Sequence, residues 1–122
     1  MKHDNLKDRT KNIALRIIRM VEALPKGKTA DVIGRQLLRS GTSVGANYRA
    51  ACRAKSPADF IHKMNIVEEE ADESLFWMEL IVDAKLMTEQ HLKELKAETK
   101  EILAITIASI RTVKRNRMVQ GS

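Results

Sequence analysis

Apolar residues recur along the chain at spacings of three and four, in four blocks separated by short polar or helix-breaking segments. Each block predicts an amphipathic helix. In the first, Leu6, Ile13, Ile17, Met20 and Leu24 form one stripe, widened by Ala14, Ile18 and Val21. Asn5 suits the N-cap with Asp8 three residues on, and Leu24-Pro25-Lys26-Gly27-Lys28 ends the helix because proline cannot sit in its interior. The second starts near Thr29, with Asp31 where the helix dipole favours a carboxylate, and reaches about Ala54. Ser56-Pro57-Ala58-Asp59 opens the third as cap, first helical residue and capping-box partner. Phe60, Met64, Val67, Ala71, Ser74, Met78 and Ile81 then follow as a heptad seam, broadened by Ile61, Leu75 and Val82. Thr88-Glu89 restarts the chain after Lys85-Leu86-Met87. The expected helices span about 5–24, 29–54, 57–86 and 89–116, with 117–122 as a frayed tail. Short connections make these one domain over residues 1–122, an all-α, up-down-up-down antiparallel four-helix bundle.

The second helix carries three faces. At 100° per residue Arg35, Arg39, Arg49 and Arg53 fall within an arc of about 80°, a ridge about 27 Å long, while Val32, Ile33, Leu37, Val44, Tyr48 and Ala51 crowd the opposite side. Between them Gly34, Gly41 and Gly45 align, with Cys52 continuing the line. Each glycine costs a helix about 1 kcal/mol against alanine. Aligned on one face, they let another helix approach closely and offset that cost by packing. A kink at Ser40-Gly41-Thr42-Ser43 is the competing reading.

Composition sharpens the fold class. Only Tyr48, Phe60, Phe76 and Trp77 are aromatic, so aliphatic residues and methionine must fill the core, as in helical bundles. The charge matters more for its distribution than for its total of +6. Residues 1–53 carry twelve basic and four acidic side chains, residues 54–110 six and twelve, and the last twelve residues four and none. Such a two-faced molecule favours anionic partners at its basic part. One cysteine makes no internal disulfide, the start is too polar for a signal peptide, and the longest charge-free stretch, Ile102 to Ile110, is too short to span a membrane. A cytoplasmic protein without membrane association is expected.

The block Leu38-Arg39-Ser40-Gly41-Thr42-Ser43-Val44-Gly45-Ala46-Asn47 resembles the bacterial four-helix bundle protein family. That family contains the 23S rRNA intervening-sequence proteins and the accessory variability determinant of diversity-generating retroelements. The resemblance extends over about residues 5–116 and takes in Leu24-Pro25, Ser56 with Phe60, and the acidic run Glu68 to Glu73. Gly45 stands where many members have proline, and Asn47-Tyr48-Arg49-Ala50-Ala51 replaces Asn-Ile-Ala-Glu-Gly, which removes a carboxylate and adds a cation. The resemblance implies a ring-shaped homo-oligomer, typically a pentamer, without known catalysis. For the accessory determinant it also implies binding to nucleic acid and to a reverse transcriptase.

Enzymatic chemistry finds little footing. His62 follows Asp59 and His91 follows Thr88 at a spacing of three, but no Glu-x-x-His pair of the di-metal bundles is present. Cys52 has only Arg49 and Arg53 near it in sequence, there is no glycine-rich phosphate loop, and His3 is expected to be disordered. No catalytic residue, metal site or cofactor is expected. The expected function is nucleic-acid binding, to RNA or DNA, by phosphate contacts from Arg35, Arg39, Arg49, Arg53 and Arg16. The alternative for these arginines is pairing with Glu68–Glu73, or, for Arg16, a place on the solvated rim of the first helix. An oligomeric scaffold recruiting a protein partner such as a reverse transcriptase is the alternative function. Ile66, Trp77 and Leu80 lie off the third helix's seam, and Ile105 lies in a stretch apolar around most of its circumference. These four are the expected subunit interface.

Overall fold

The structure, a computed structural model, describes the backbone of residues 2–121 and the side chains of residues 5–118. Four helices follow one another: α1 (Lys2–Glu22), α2 (Lys28–Ala51), α3 (Pro57–Asp83) and α4 (Glu89–Gly121). Each packs on the next, α1 and α4 close the ring more sparsely, and the diagonal pairs do not meet. This is the up-down-up-down bundle that the periodicity predicts.

The core forms where the spacing places it. Leu6, Ile13 and Ile17 of α1, Ile33, Leu37, Val44 and Tyr48 of α2, Met64, Val67, Ala71, Met78 and Ile81 of α3, and Leu92, Leu95, Ile102 and Ile110 of α4 are all buried. Polar residues enter the same seams. Thr10, Thr99 and Thr106 are buried and donate to the carbonyls of Leu6, Leu95 and Ile102 at 2.8 Å, so burial leaves their hydroxyls satisfied.

The helix ends differ from expectation in particular ways. α1 begins at Lys2, which places Asn5 inside the helix and not at its cap. Gly27 precedes α2 with φ 153°, a conformation that side chains other than glycine's rarely allow. α2 stops at Ala51 and α3 at Asp83, short of the expected 54 and 86. After α3, Lys85 takes φ 60° and the Leu86 N–H donates to the Ile81 carbonyl, a Schellman-type stop. Ser56 caps α3 by accepting from the Asp59 N–H at 3.0 Å, while Asp59 accepts from the Lys55 N–H, one residue earlier than a capping box requires. α4 continues to Gly121, because no breaker precedes that glycine; the expected frayed tail is helical over 117–121, and Ser122 lies outside the described residues. His3 lies outside the residues with described side chains.

α2 has no break at Gly41. Its glycines face α1: a Cβ on Gly34 would lie 3.1 Å from Val21, on Gly41 2.3 Å from the Ile17 Cδ1, and on Gly45 3.3–3.4 Å from Thr10, backbone included. The glycine face is a close helix–helix contact. Two residues leave their expected faces. Val32 is 53% exposed, because at 100° per residue it falls beside Arg39 and away from the buried face, and Cys52 lies beyond the helix end, exposed.

Candidate nucleic-acid interface

The order of the helices around the bundle decides which cations find partners. α1 holds six basic and three acidic residues and α2 four and one, whereas α3 holds a single lysine against eight carboxylates. α4 carries four glutamates among its first thirteen residues, then only cations beyond Glu101. Around the ring two basic helices are therefore neighbours, and each meets carboxylates on its other side, those of acidic α3 beside α2 and the four glutamates of α4 beside α1. A cation pointing at α3 or α4 can be neutralised; Arg49, pointing into the α1–α2 seam, meets Lys7 and Lys11, with Asp8 the one carboxylate lining that cleft.

The ridge of α2 divides along this line. Arg39 leans toward α3, where Nη1 donates to Glu70 at 3.2 Å and Nη2 to Glu73. Glu73 also accepts from the Trp77 indole at 2.9 Å. Arg39 thus pairs with the acidic run of α3, the alternative that the sequence leaves open for the ridge. Arg49 leans the other way, toward α1, and lines a cleft with Lys7 and Lys11. Among the described residues, no carboxylate lies within 4.0 Å of the side-chain nitrogens of Arg35, Arg49 or Arg53. Arg16 projects to α4, 3.9 Å from an exposed Glu94, and does not join the α2 ridge.

The flank of α1 toward α4 repeats the paired arrangement. Arg9 forks onto Glu98 with two bonds of 2.8 Å, and its Nη2 also reaches Glu101. These bonds raise the arginine's pKa and hold the Glu98 carboxyl below the usual carboxylate range. Asp59 is likewise lowered, first by the Lys55 N–H and then by Lys63. Arg9 and Arg39 are thus tied to carboxylates of α4 and α3, while Asp59 is held by groups on and just before its own helix.

Lys7 and Lys11 escaped the sequence reading, because α1 was read for its apolar stripe and its arginines alone. Their signal is a one-turn spacing on the Ala14–Ile18 flank of that stripe, meaningful only once the glycines show which helix they overlook. The expected interface residues are less available than their off-seam positions imply. Trp77, Leu80 and Ile105 pack on this chain's own core and Ile66 is half-buried, so the bundle accounts for part of their burial itself. Phe76 is the exposed aromatic, 49% accessible, edge-on to Trp77 with centroids 4.9 Å apart. Along the apolar stretch of α4, Ala104 and Ala108 are exposed and Leu103 and Ile107 only half-covered, so a single bundle leaves part of this surface uncovered.

Among the described residues no cluster of three or more His, Cys, Asp or Glu is arranged to hold a metal ion, and no helix is long and apolar enough to cross a membrane.

Residues 4–108 match the family model of the 23S rRNA-intervening sequence protein. A crystal structure of a protein of unknown function from the S23 ribosomal protein family of Bacteroides thetaiotaomicron is similar to this chain with a TM-score of 0.84 and 37% identity. The likeness covers 91% of this chain and 99% of that one. No curated protein matches the chain.

Proposed function

The chain belongs to the 23S rRNA-intervening sequence protein family, and from that premise we propose that it is a non-enzymatic, ring-forming bundle that binds nucleic acid through phosphates without reading base sequence. One observation carries this reading: among the described residues Lys7, Lys11 and Arg49, in the seam between the two basic helices, have no ion-pair partner, while Arg9 and Arg39 in the adjoining seams are paired. A guanidinium or ammonium without a carboxylate is free to replace the counterions of a phosphate backbone. Arg49 carries the contact on α2 with Lys7 and Lys11 across the seam, Arg53 extends it just past the helix end, and Arg35 stands at its far end; Arg39 and Arg16 play no direct part.

Assembly into a homo-oligomer, a pentamer by family resemblance, is supported by the half-covered apolar stretch of α4 and by exposed Phe76. A ring repeats a weak basic seam several times and raises its affinity through avidity. The same apolar surface favours a second reading, an oligomeric adaptor that recruits a protein partner such as a reverse transcriptase.

Light scattering on the purified protein should give a mass several times 13.8 kDa. Binding to mixed-sequence RNA and DNA should fall log-linearly with salt and vary little with sequence. A monomer in solution removes the ring; absence of salt-sensitive binding at low ionic strength removes the nucleic-acid function.

A further inference from the structure

Two clefts meet at Lys7. The first, about 450 Å³, lies between α1 and α2. Its floor is Ala14, Thr42, Gly45 and Ala46, and its cations are Lys7, Lys11 and Arg49 against one carboxylate, Asp8. The floor is bare because Gly45 packs so closely on Thr10 that even a Cβ would be tight, 3.3–3.4 Å from it. The second cleft, about 610 Å³, opens at the end of the bundle where α2 stops, α3 starts and α4 passes. Its walls are Ala51, Ala54, Pro57, Phe60 and Val113, and Lys7 and Lys55 stand at its rim. Among the described residues none of Lys7, Lys11, Arg49 and Lys55 has an ion-pair partner.

The two clefts differ in character, one a cationic trough and the other an apolar recess, and they share a lysine. We propose that together they hold an unpaired nucleic-acid strand, its phosphates in the trough over Lys7, Lys11 and Arg49 and one base in the recess against Phe60 and Pro57. The proposal rests on the nucleic-acid reading above and adds the strand state of the ligand. A duplex offers only phosphates to such a surface, because its base faces are stacked inside. An unpaired strand offers phosphates and an exposed π-face, which suits an apolar recess of any-base selectivity. The recess lies within the size range of pockets that enclose small organic groups. Charge complementarity names the strand, and the change from cationic floor to apolar wall names the base.

The test uses the intact protein and three probes of equal length: a labelled oligothymidylate, the same backbone with abasic sites, and the thymidylate–adenylate duplex. The unpaired strand should bind about tenfold more tightly than the abasic strand or the duplex, a difference typical of one stacked base. Ala54→Glu, which puts a carboxylate in the recess outside any helix, should abolish that preference and leave the weaker phosphate-driven binding of the duplex largely in place. Cys52 lines the recess, is exposed and is the chain's only cysteine, so alkylation gives an independent readout. Oligothymidylate should slow modification of Cys52 in the wild-type protein and the abasic strand should not. Equal affinity for all three probes, or equal protection of Cys52 by the thymidylate and abasic strands, overturns the base-in-recess proposal while the phosphate-binding function stands. No binding to any probe at low salt overturns that function instead.

Discussion

α2 has two flanks, and they solve helix contact in opposite ways. Toward α1 it presents glycines, so the Val21, Ile17 and Thr10 side chains of α1 lie directly on its backbone, and the cations at the edge of the contact have no ion-pair partner among the described residues. Toward α3 it presents side chains: the Ser74 hydroxyl donates to Ser40 Oγ at 2.9 Å in the buried seam, and Arg39 spans to Glu70 and Glu73 at its edge. The arginines of the two flanks sit on one helix within a narrow arc, yet their fates differ. What an arginine does is set by the helix across the groove, not by the helix it stands on.

The comparison breaks most violently at the glycine flank. Gly45→Leu should cost about 1–3 kcal/mol by overpacking against Thr10, although leucine is the better helix former. Thermal melting decides by sign, and a stabilised variant would mean that the α1–α2 contact is not close. The serine flank should respond less. Ser74→Ala removes the donor to Ser40 and should cost about 0.5–1.5 kcal/mol. Adding Ser40→Ala should then cost less than it does alone, because the shared bond can be lost only once; each hydroxyl also has a carbonyl of its own helix, Glu70 for Ser74 and Leu37 for Ser40. Additive losses in a double-mutant cycle would show that the two serines are not coupled.

The sequence carried the fold well and the interface only in outline. Periodicity located all four helices and nearly all of the core, since burial in a bundle follows local spacing. It missed Thr10, Thr99 and Thr106, because a threonine that bonds its own helix can occupy an apolar position without being apolar. The glycine face was legible as a packing device; its partner was not, because nothing in α2 alone says which helix lies across it. For the same reason Arg39 and Arg49 looked equivalent, and Lys7 and Lys11 went unremarked. Pairing across helices is a property of the ring order, which no single helix encodes.

A smaller effect sharpens the paired side. Arg9 holds the Glu98 carboxyl below its ordinary range, so this bond's stabilisation is fully present above the unfolded carboxylate pKa of about 4.3. It is lost as pH falls through the lowered value in the folded state. Glu98→Gln should therefore cost at most about 1 kcal/mol near neutrality, given the partly exposed pair, and should flatten the loss of stability on acidification. An unchanged acid limb in denaturant titrations would show that the fork does not contribute.

The most direct measurement is the salt dependence of nucleic-acid binding in three proteins that fold alike: wild type, Arg39→Gln, and Lys7→Gln combined with Arg49→Gln. If the basic–basic seam is the phosphate contact, the log–log slope of the double variant should drop by about 1.5, two phosphates' worth, while Arg39→Gln keeps the wild-type slope. A slope lost with Arg39 and kept without Lys7 and Arg49 would contradict the account, placing the phosphates on the flank that α3 neutralises.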